Sequence, residues 1–184
     1  MDVDGDTIAT VADGAQDLGL AALLGGKLFG RYAMHPALAE VSDERERGKV
    51  VNRAWRRYGL VNGLGLAALV AGWVAERAQR RPSGRERRLA RTKDAAVGAV
   101  AVSGLAAAVE GLRFAASEPE GAVPLEDGSH PASDATREVA RRRRLLNGLS
   151  RTGVAAEVAL LAVTTVLRRQ RSRRMPGLVS RVAG

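Results

Sequence analysis

An all-α, four-helix transmembrane bundle is the fold class this sequence predicts, and three features predict it. The first is the stretch 58–75, eighteen residues without a charge and the longest such run in the chain. At about 1.5 Å rise per residue, that is close to the minimum for crossing a bilayer core as a helix. The second is a stripe of small residues at every fourth position. It comprises Gly59, Gly63, Ala67, Ala71 and Ala75 in that run, Ala22, Gly26 and Gly30 before it, and Ala95, Ala99, Ser103, Ala107 and Gly111 after it. Such stripes let helices approach closely in lipid. Soluble bundles fill the seam with Leu and Ile at heptad spacing, and the apolar residues here keep no heptad. The third feature is charge heaped just outside the apolar segments. Trp55 and Tyr58 at one end and Trp73 at the other lie about 22–27 Å apart on a helix, near the two faces of a hydrocarbon slab.

Composition narrows the classes. At 184 residues the chain is one domain, and with no cysteine it has no disulfide framework and no thiolate metal site. The net charge of +9 comes mostly from arginine, which suits nucleic acid or an anionic membrane surface. Aromatic residues make up only 3%, little for a soluble core or for a platform that stacks bases. The expected partners are therefore the lipid bilayer and its anionic headgroups, with a second copy or another membrane protein as a further partner, and not nucleic acid. The competing fold is a soluble four-helix bundle with an alanine-rich core, to which the slightly negative mean hydropathy points.

The elements follow in order. Residues 1–12 form an acidic, flexible N-terminus without the basic region of a secretory signal, so no cleavage is expected. The helical domain spans 13–170, with membrane spans near 15–34, 58–76, 95–116 and 145–167. His35-Pro36 is expected to stop the first helix, because a residue before proline is pushed out of the helical region. Ser42-Asp43 reads as an N-cap for a helix that runs unbroken into the 58–76 span and ends before Pro82. The third helix occupies about 83–117. Pro119, Gly121, Pro124, Gly128 and Pro131 make the next stretch a loop. Ser133-Asp134 reads as the start of the fourth helix, and 171–184 as a disordered basic tail.

The two halves echo each other. Gly26, Phe29, His35-Pro36, Arg56-Arg57 and Asn62-Gly63-Leu64 recur in the same order as Gly111, Phe114, His130-Pro131, Arg143-Arg144 and Asn147-Gly148-Leu149. A duplicated helical hairpin would produce this order.

Insertion energetics say which polar residues matter. Ten Leu and Val in 145–167 contribute about −3 to −6 kcal/mol, while Arg151 alone costs about +2.5 to +3.5 near the centre of the helix and Glu157 a similar amount. That helix breaks even only if its charges find partners. In an alternating four-span topology Lys27, Arg31, Asn62, Glu110, Arg113, Asn147, Arg151 and Glu157 all fall in the half nearer the 35–57 and 117–144 connections, with Asp17 near the other surface. Arg31 and Arg113 lie close enough to helix ends to snorkel. The expectation for the rest is that Glu110 and Glu157 pair with Lys27 and Arg151 across the interior. Two positive charges stay in excess, which favours an anionic or amphipathic ligand. His35 and His130 lack helical ligand spacing, so no metal site is expected. No nucleophile elbow, P-loop or dinucleotide fingerprint is present, and no cofactor is expected. The 77–93 connection and the tail from Arg168 carry fourteen Lys and Arg against eleven in the other two connections, which puts both termini in the cytoplasm of a cell-membrane protein.

At GGKLFGRYAMHPAL, and again at AVPLEDG and the late NGL, the chain resembles a group of uncharacterised four-helix bacterial integral membrane proteins over about residues 14–168. The glycine-rich first helix followed by proline is more distantly similar to the anthrone-oxygenase-like membrane family. The first resemblance implies a four-span topology. The second implies, for some members, cofactor-free oxygenation of polycyclic phenols, but no catalytic residue of that family matches here. The role expected is thus a non-catalytic membrane component that binds an anionic lipid, metabolite or partner. A membrane enzyme acting on a lipophilic substrate, and a soluble basic bundle binding nucleic acid, are the alternatives.

Overall fold

The computed structural model describes residues 5–79 and 84–174. Four long helices carry the chain: α1 (Gly5–Phe29), α2 (Glu44–Gln79), α3 (Gly84–Ala115) and α4 (Arg137–Arg174). No strand occurs among the described residues, so the fold is all-α. The closest pairings are α1 with α2 and α3 with α4. Lighter contacts join α2 to α3 and α1 to α4. The molecule is therefore two antiparallel hairpins docked side by side, the architecture that a duplicated hairpin implies. Three helices, α2, α3 and α4, are long and apolar enough to cross a membrane; α1 is not among them.

Several boundaries differ from the expectation. α1 begins at Gly5, so most of the supposed flexible N-terminus is helical. It does not stop at Pro36 either. A π turn (Gly30–Met34), a short helical turn (His35–Ala37) and a 3₁₀ turn (Leu38–Glu40) continue it. His35 keeps helical backbone angles, and its N–H reaches back to the Gly30 carbonyl. The wide turn loosens the ladder just ahead of the proline ring, which relieves the clash that ends a regular helix. The chain turns extended only at Val41. α2 starts as expected, with Asp43 Oδ1 accepting the Glu46 N–H at 2.8 Å. α4 starts later, at Arg137, because Thr136 rather than Ser133-Asp134 caps it through the Val139 N–H. It also runs to Arg174, into the supposed tail. Residues 175–184, the remainder of that tail, lie outside the described part.

Burial follows a heptad after all. On α3 the inward positions are Lys93, Ala96, Val100, Ser103, Ala107, Glu110 and Phe114. On α4 they are Val139, Arg143, Leu146, Ser150, Gly153, Glu157, Leu160, Thr164 and Leu167. Steps of three and four alternate, averaging 3.5, the repeat of left-handed supercoiled bundles. The heptad cannot be seen in the apolar residues because many seam positions hold glycine or a polar group. Large apolar side chains point outward instead: Leu18 is 74% exposed, Leu60 70%, Val102 70% and Leu112 68%.

The small-residue stripes shift accordingly. Gly59, Gly63, Ala67, Ala71, Ala95 and Ala99 are exposed and carry no helix contact seam. The close approach of α1 and α2 is made by Gly19, Gly65 and Gly72, whose missing Cβ atoms would strike backbone or Cβ atoms of the facing helix. Gly26 and Gly30, which do lie on an expected stripe, make room for the rings of Tyr58 and Trp55. Those rings therefore face a neighbouring helix and not a headgroup belt. The Tyr58 hydroxyl donates to the Ala22 carbonyl at 2.8 Å, and Trp73 Nε1 donates to Asp94 Oδ1 at 2.8 Å.

Two apolar clusters lie along the axis. One fills the bundle with Leu20, Leu23, Leu69, Val97, Val100, Leu160 and Val163. The other, at the end where α1 leads into α2, gathers Leu38, Val51, Phe114, Val123, Leu125 and Val139. Val123 and Leu125 come from the 116–136 connection, a loop as expected, whose 121–125 stretch is buried as a cap while residues such as Glu126, His130 and Ser133 stay exposed. A 3₁₀ turn (Pro119–Gly121), with Gly121 at φ +70°, and a single bridge between Leu125 and Pro131 shape it. Arg47 clamps it, donating to the carbonyls of Leu125 at 3.2 Å and Glu126 at 2.6 Å.

These contacts give a first prediction. Gly72→Leu has to displace the Ala12 carbonyl and Gln16, an overpacking cost of about 1–3 kcal/mol or more. It should lower the melting temperature in detergent by at least several degrees, whereas Gly63→Leu, which meets open space, should leave it nearly unchanged.

Candidate functional site

Polar residues on the seam of a bundle with an apolar outside must find partners inside it. In the half of the bundle next to the cap, Lys27 of α1 donates to Glu157 Oε1 of α4 at 2.5 Å. Glu157 has no exposed surface, and Lys27 keeps 14%. Gly153, one turn before Glu157, makes this reach possible: a Cβ there would collide with the Lys27 amine and touch Ser103 Oγ. The pairing of Gly65 with Ala22 and Leu23 carries Asn62, three residues earlier, to about the level of Lys27. One charged pair, an amide and a hydroxyl thus share one layer of the bundle. Two acceptors in that layer, Glu157 Oε2 and Asn62 Oδ1, are buried and have no partner.

The other expected residues lie around this layer. Glu110 pairs not with Lys27 but with Arg142, at 2.8 Å, and more loosely with Arg113 one turn on, at 3.5 Å. Arg142 is reached from α4, whose first turns run alongside the end of α3. Arg151 does not pair with Glu157; it is exposed and forms no ion pair among the described residues. The reason is register: Arg151 sits between the seam positions Ser150 and Gly153 and points out of the bundle. Arg31 is exposed with its guanidinium over the Tyr32 ring at 5.8 Å, and Arg113 is exposed, so both lie at the rim as expected. Asn147 Nδ2 donates to the Ser129 carbonyl at 2.9 Å and serves to hold the cap.

A second polar layer, not anticipated, lies toward the α2–α3 turn. Glu76 Oε2 accepts from Gln16 Nε2 at 3.1 Å and forms a tight ion pair with Lys93, all three being buried. Asp94 bridges Trp73 and Arg77, and Arg168 holds Asp17 with two bonds of 2.9 Å each. The signal for these layers is in the sequence at heptad spacing. Arg143, Ser150, Glu157 and Thr164 follow one another by sevens, and Glu76 lies two heptads beyond Asn62.

The cap holds a third group. His35 Nε2 accepts from Trp55 Nε1 at 3.2 Å. Indole can only donate, so the His35 proton is on Nδ1 and is donated to Ser129 Oγ at 3.0 Å. Burial, helped by the charge of Arg143, lowers the His35 pKa to about 4. Arg143 is itself 95% buried (5% exposed), with its guanidinium 5.4 Å from the Phe114 ring centre. Burial brings it down to about 10, so it stays charged at neutral pH. Asp127, though partly desolvated, is held below the usual carboxylate range by bonds from the His130 ring and the backbone N–H groups of Ser129 and His130. Among the described residues no group of three or more His, Asp or Glu is placed to hold a metal ion.

Set against family models, curated proteins and solved structures, the chain matches none.

Two predictions follow from these groups. Lys27→Met or Glu157→Gln alone strands a buried partner and should cost about 3–5 kcal/mol, while the double variant recovers much of it; Arg151→Gln should show no coupling to Glu157. Thermal melts of the four combinations measure this. For His35, the unfolded chain binds the proton near pH 6.5 and the folded chain only near pH 4. The neutral ring therefore contributes stability above pH 6.5 that is lost as pH falls from 6.5 to 4. His35→Gln should flatten the dependence of melting temperature on pH in that window.

Proposed function

We propose that this chain is a small multi-pass integral membrane protein that binds anionic amphiphiles, foremost lipids, at the end of the bundle carrying the cap. One observation supports it above the others: on the same helices, large apolar side chains such as Leu18, Leu60 and Val102 face outward while the ion pairs Lys27–Glu157 and Glu76–Lys93 are enclosed. A soluble bundle binding nucleic acid would expose that apolar surface to water around its whole girth, which favours aggregation. Three helices have the length and apolarity to cross a bilayer. In this reading α1 is the fourth span, sheltered by its close packing on α2, with its charges Asp17 and Lys27 each held by α4.

The anion preference rests on Arg31, Arg113 and Arg151. All three are exposed; Arg31 and Arg113 lie near the ends of apolar segments, where a headgroup phosphate would lie beside them, and Arg151, about two turns inside its segment, reaches that level by snorkelling. The interior layer is less suited to this task, because Lys27 is already neutralised by Glu157. The unpartnered Oε2 of Glu157 is what a membrane enzyme could use as a base on a lipophilic substrate, and it carries that second reading alone.

Washing membranes from expressing cells in alkaline carbonate tests the first part. The protein should stay in the pellet, and release into the supernatant would overturn the reading. Native mass spectrometry tests the second. The wild type should retain phosphatidylglycerol over phosphatidylcholine, and Gln at positions 31, 113 and 151 together should remove that preference.

A further inference from the structure

Arg143 is enclosed without the partners that a buried cation needs. Its side chain lies in the cap with 5% of the residue exposed, and two of its three guanidinium nitrogens, Nε and Nη2, are buried without a hydrogen-bond partner. Those two nitrogens form one edge of the guanidinium, where the N–H bonds run parallel. That edge is the one that grips two oxygens of a carboxylate or phosphate at once. A buried cation is expected to be paired. The nearest opposite charge, Asp127, is turned toward His130 and the backbone N–H groups of Ser129 and His130. The Phe114 ring covers a face of the guanidinium and leaves its edge open. His35 next to it is neutral, with both ring nitrogens already engaged by Trp55 and Ser129, so it neither competes for an anion nor repels one.

We propose that the Nε–Nη2 edge of Arg143 is a binding site for one phosphate group, seated between Phe114 and the cap. Arg143 lies two residues before the apolar run that begins at Leu145, the level at which a bilayer presents its phosphates. The phosphate can come from a lipid headgroup or from solution; the chemistry that holds it is the same. The edge is buried when empty, so entry requires the groups packed around it to part. The site is separate from the exposed arginines at positions 31, 113 and 151. It depends on the membrane reading only for the lipid source.

The test uses the full chain in an uncharged detergent at pH 7, with melting followed by the fluorescence of Trp55 and Trp73. Inorganic phosphate is titrated against chloride at constant ionic strength. The wild type should gain stability in a saturable way, about 5–10 °C at a hundredfold excess over Kd. Arg143→Gln should not respond. Arg143→Lys keeps the charge without the fork and should bind phosphate at least tenfold more weakly. A parallel arm places the protein in nanodiscs of a phosphate-free galactolipid with and without phosphatidylglycerol. A gain with phosphatidylglycerol alone assigns the site to headgroups, and a gain in both arms assigns it to the phosphate group wherever carried. Equal responses from the wild type and Arg143→Gln, or no response of the wild type in either arm, would overturn the proposal. If Arg143→Gln does not fold, Arg143→Lys decides: phosphate affinity equal to the wild type would overturn it as well. Gln at positions 31, 113 and 151 should leave the free-phosphate response intact, so this result and the lipid preference can fail independently.

Discussion

The bond between Lys27 and Glu157 is the constraint on which the assembly of this bundle turns. Within each hairpin the helices hold together by shape. Gly19, Gly65 and Gly72 bring α1 and α2 nearly to backbone contact, and α3 and α4 close on Phe114, Val100 and Leu160. Between the hairpins contact is lighter, and it combines the apolar cluster around Leu20, Leu69, Val100 and Leu160 with ion pairs. Lys27 to Glu157 and Asp17 to Arg168 tie α1 to α4. Lys93 to Glu76 and Arg77 to Asp94 tie α2 to α3. Apolar packing gives little direction, since one apolar contact of similar volume substitutes readily for another. A fully buried carboxylate has one acceptable position, opposite its cation. The ion pairs therefore fix the rotation and axial register at which the hairpins dock.

This division explains the inverted pattern of the surface. The seam positions must be small where backbones approach and polar where hairpins are docked. Many of the leucines and valines are left to the outer positions, Leu18, Leu60, Val102 and Leu112 among them. It also explains why two polar layers are needed. A single layer would let the hairpins pivot, whereas pairs near both ends of the Leu20–Leu160 cluster hold the axes at two heights.

That inversion set the limit on what could be read in advance. Uncharged runs and proline placement were enough for four helices, for the long α2 and for the capping role of Asp43. The pairing of Lys27 with Glu157 was also legible, because a deep acid and a deep base on neighbouring helices have few alternatives. The rest was hidden for specific reasons. Gly59 and Gly63 mimic a packing stripe, but their four-residue period drifts off a seam that advances by 3.5. Arg151 shares a half of the bundle with Glu110 and Glu157, which suggests a pairing across the interior, yet the same register turns it outward. Glu76 and Lys93 looked like the charged ends of apolar runs, and only their contact across the α2–α3 turn makes them a core pair. The cap was missed because proline and glycine mark turns equally well whether Val123 and Leu125 are buried or not.

The cap makes the two ends of the molecule unlike. At the α2–α3 end, Asp94, Arg77 and Arg168 close the bundle with pairs that are partly exposed. At the other end, the connection inside the α3–α4 hairpin crosses to the α1–α2 hairpin. Arg47 of α2 holds its carbonyls, Asn52 donates to Gly121 at 2.8 Å, and Gly128 packs against His35. A connection that only joined α3 to α4 would need none of these bonds. Their presence means that this end is built to a fixed shape, with neutral His35 and charged Arg143 enclosed in it. Enclosing a cation whose hydrogen-bonding edge is left open costs stability that a leucine at the same seam position would not. The bundle has other ways to fill a heptad position, as Leu146 and Leu160 on the same helix demonstrate. The unpartnered edge is thus the feature of the cap that packing alone does not account for.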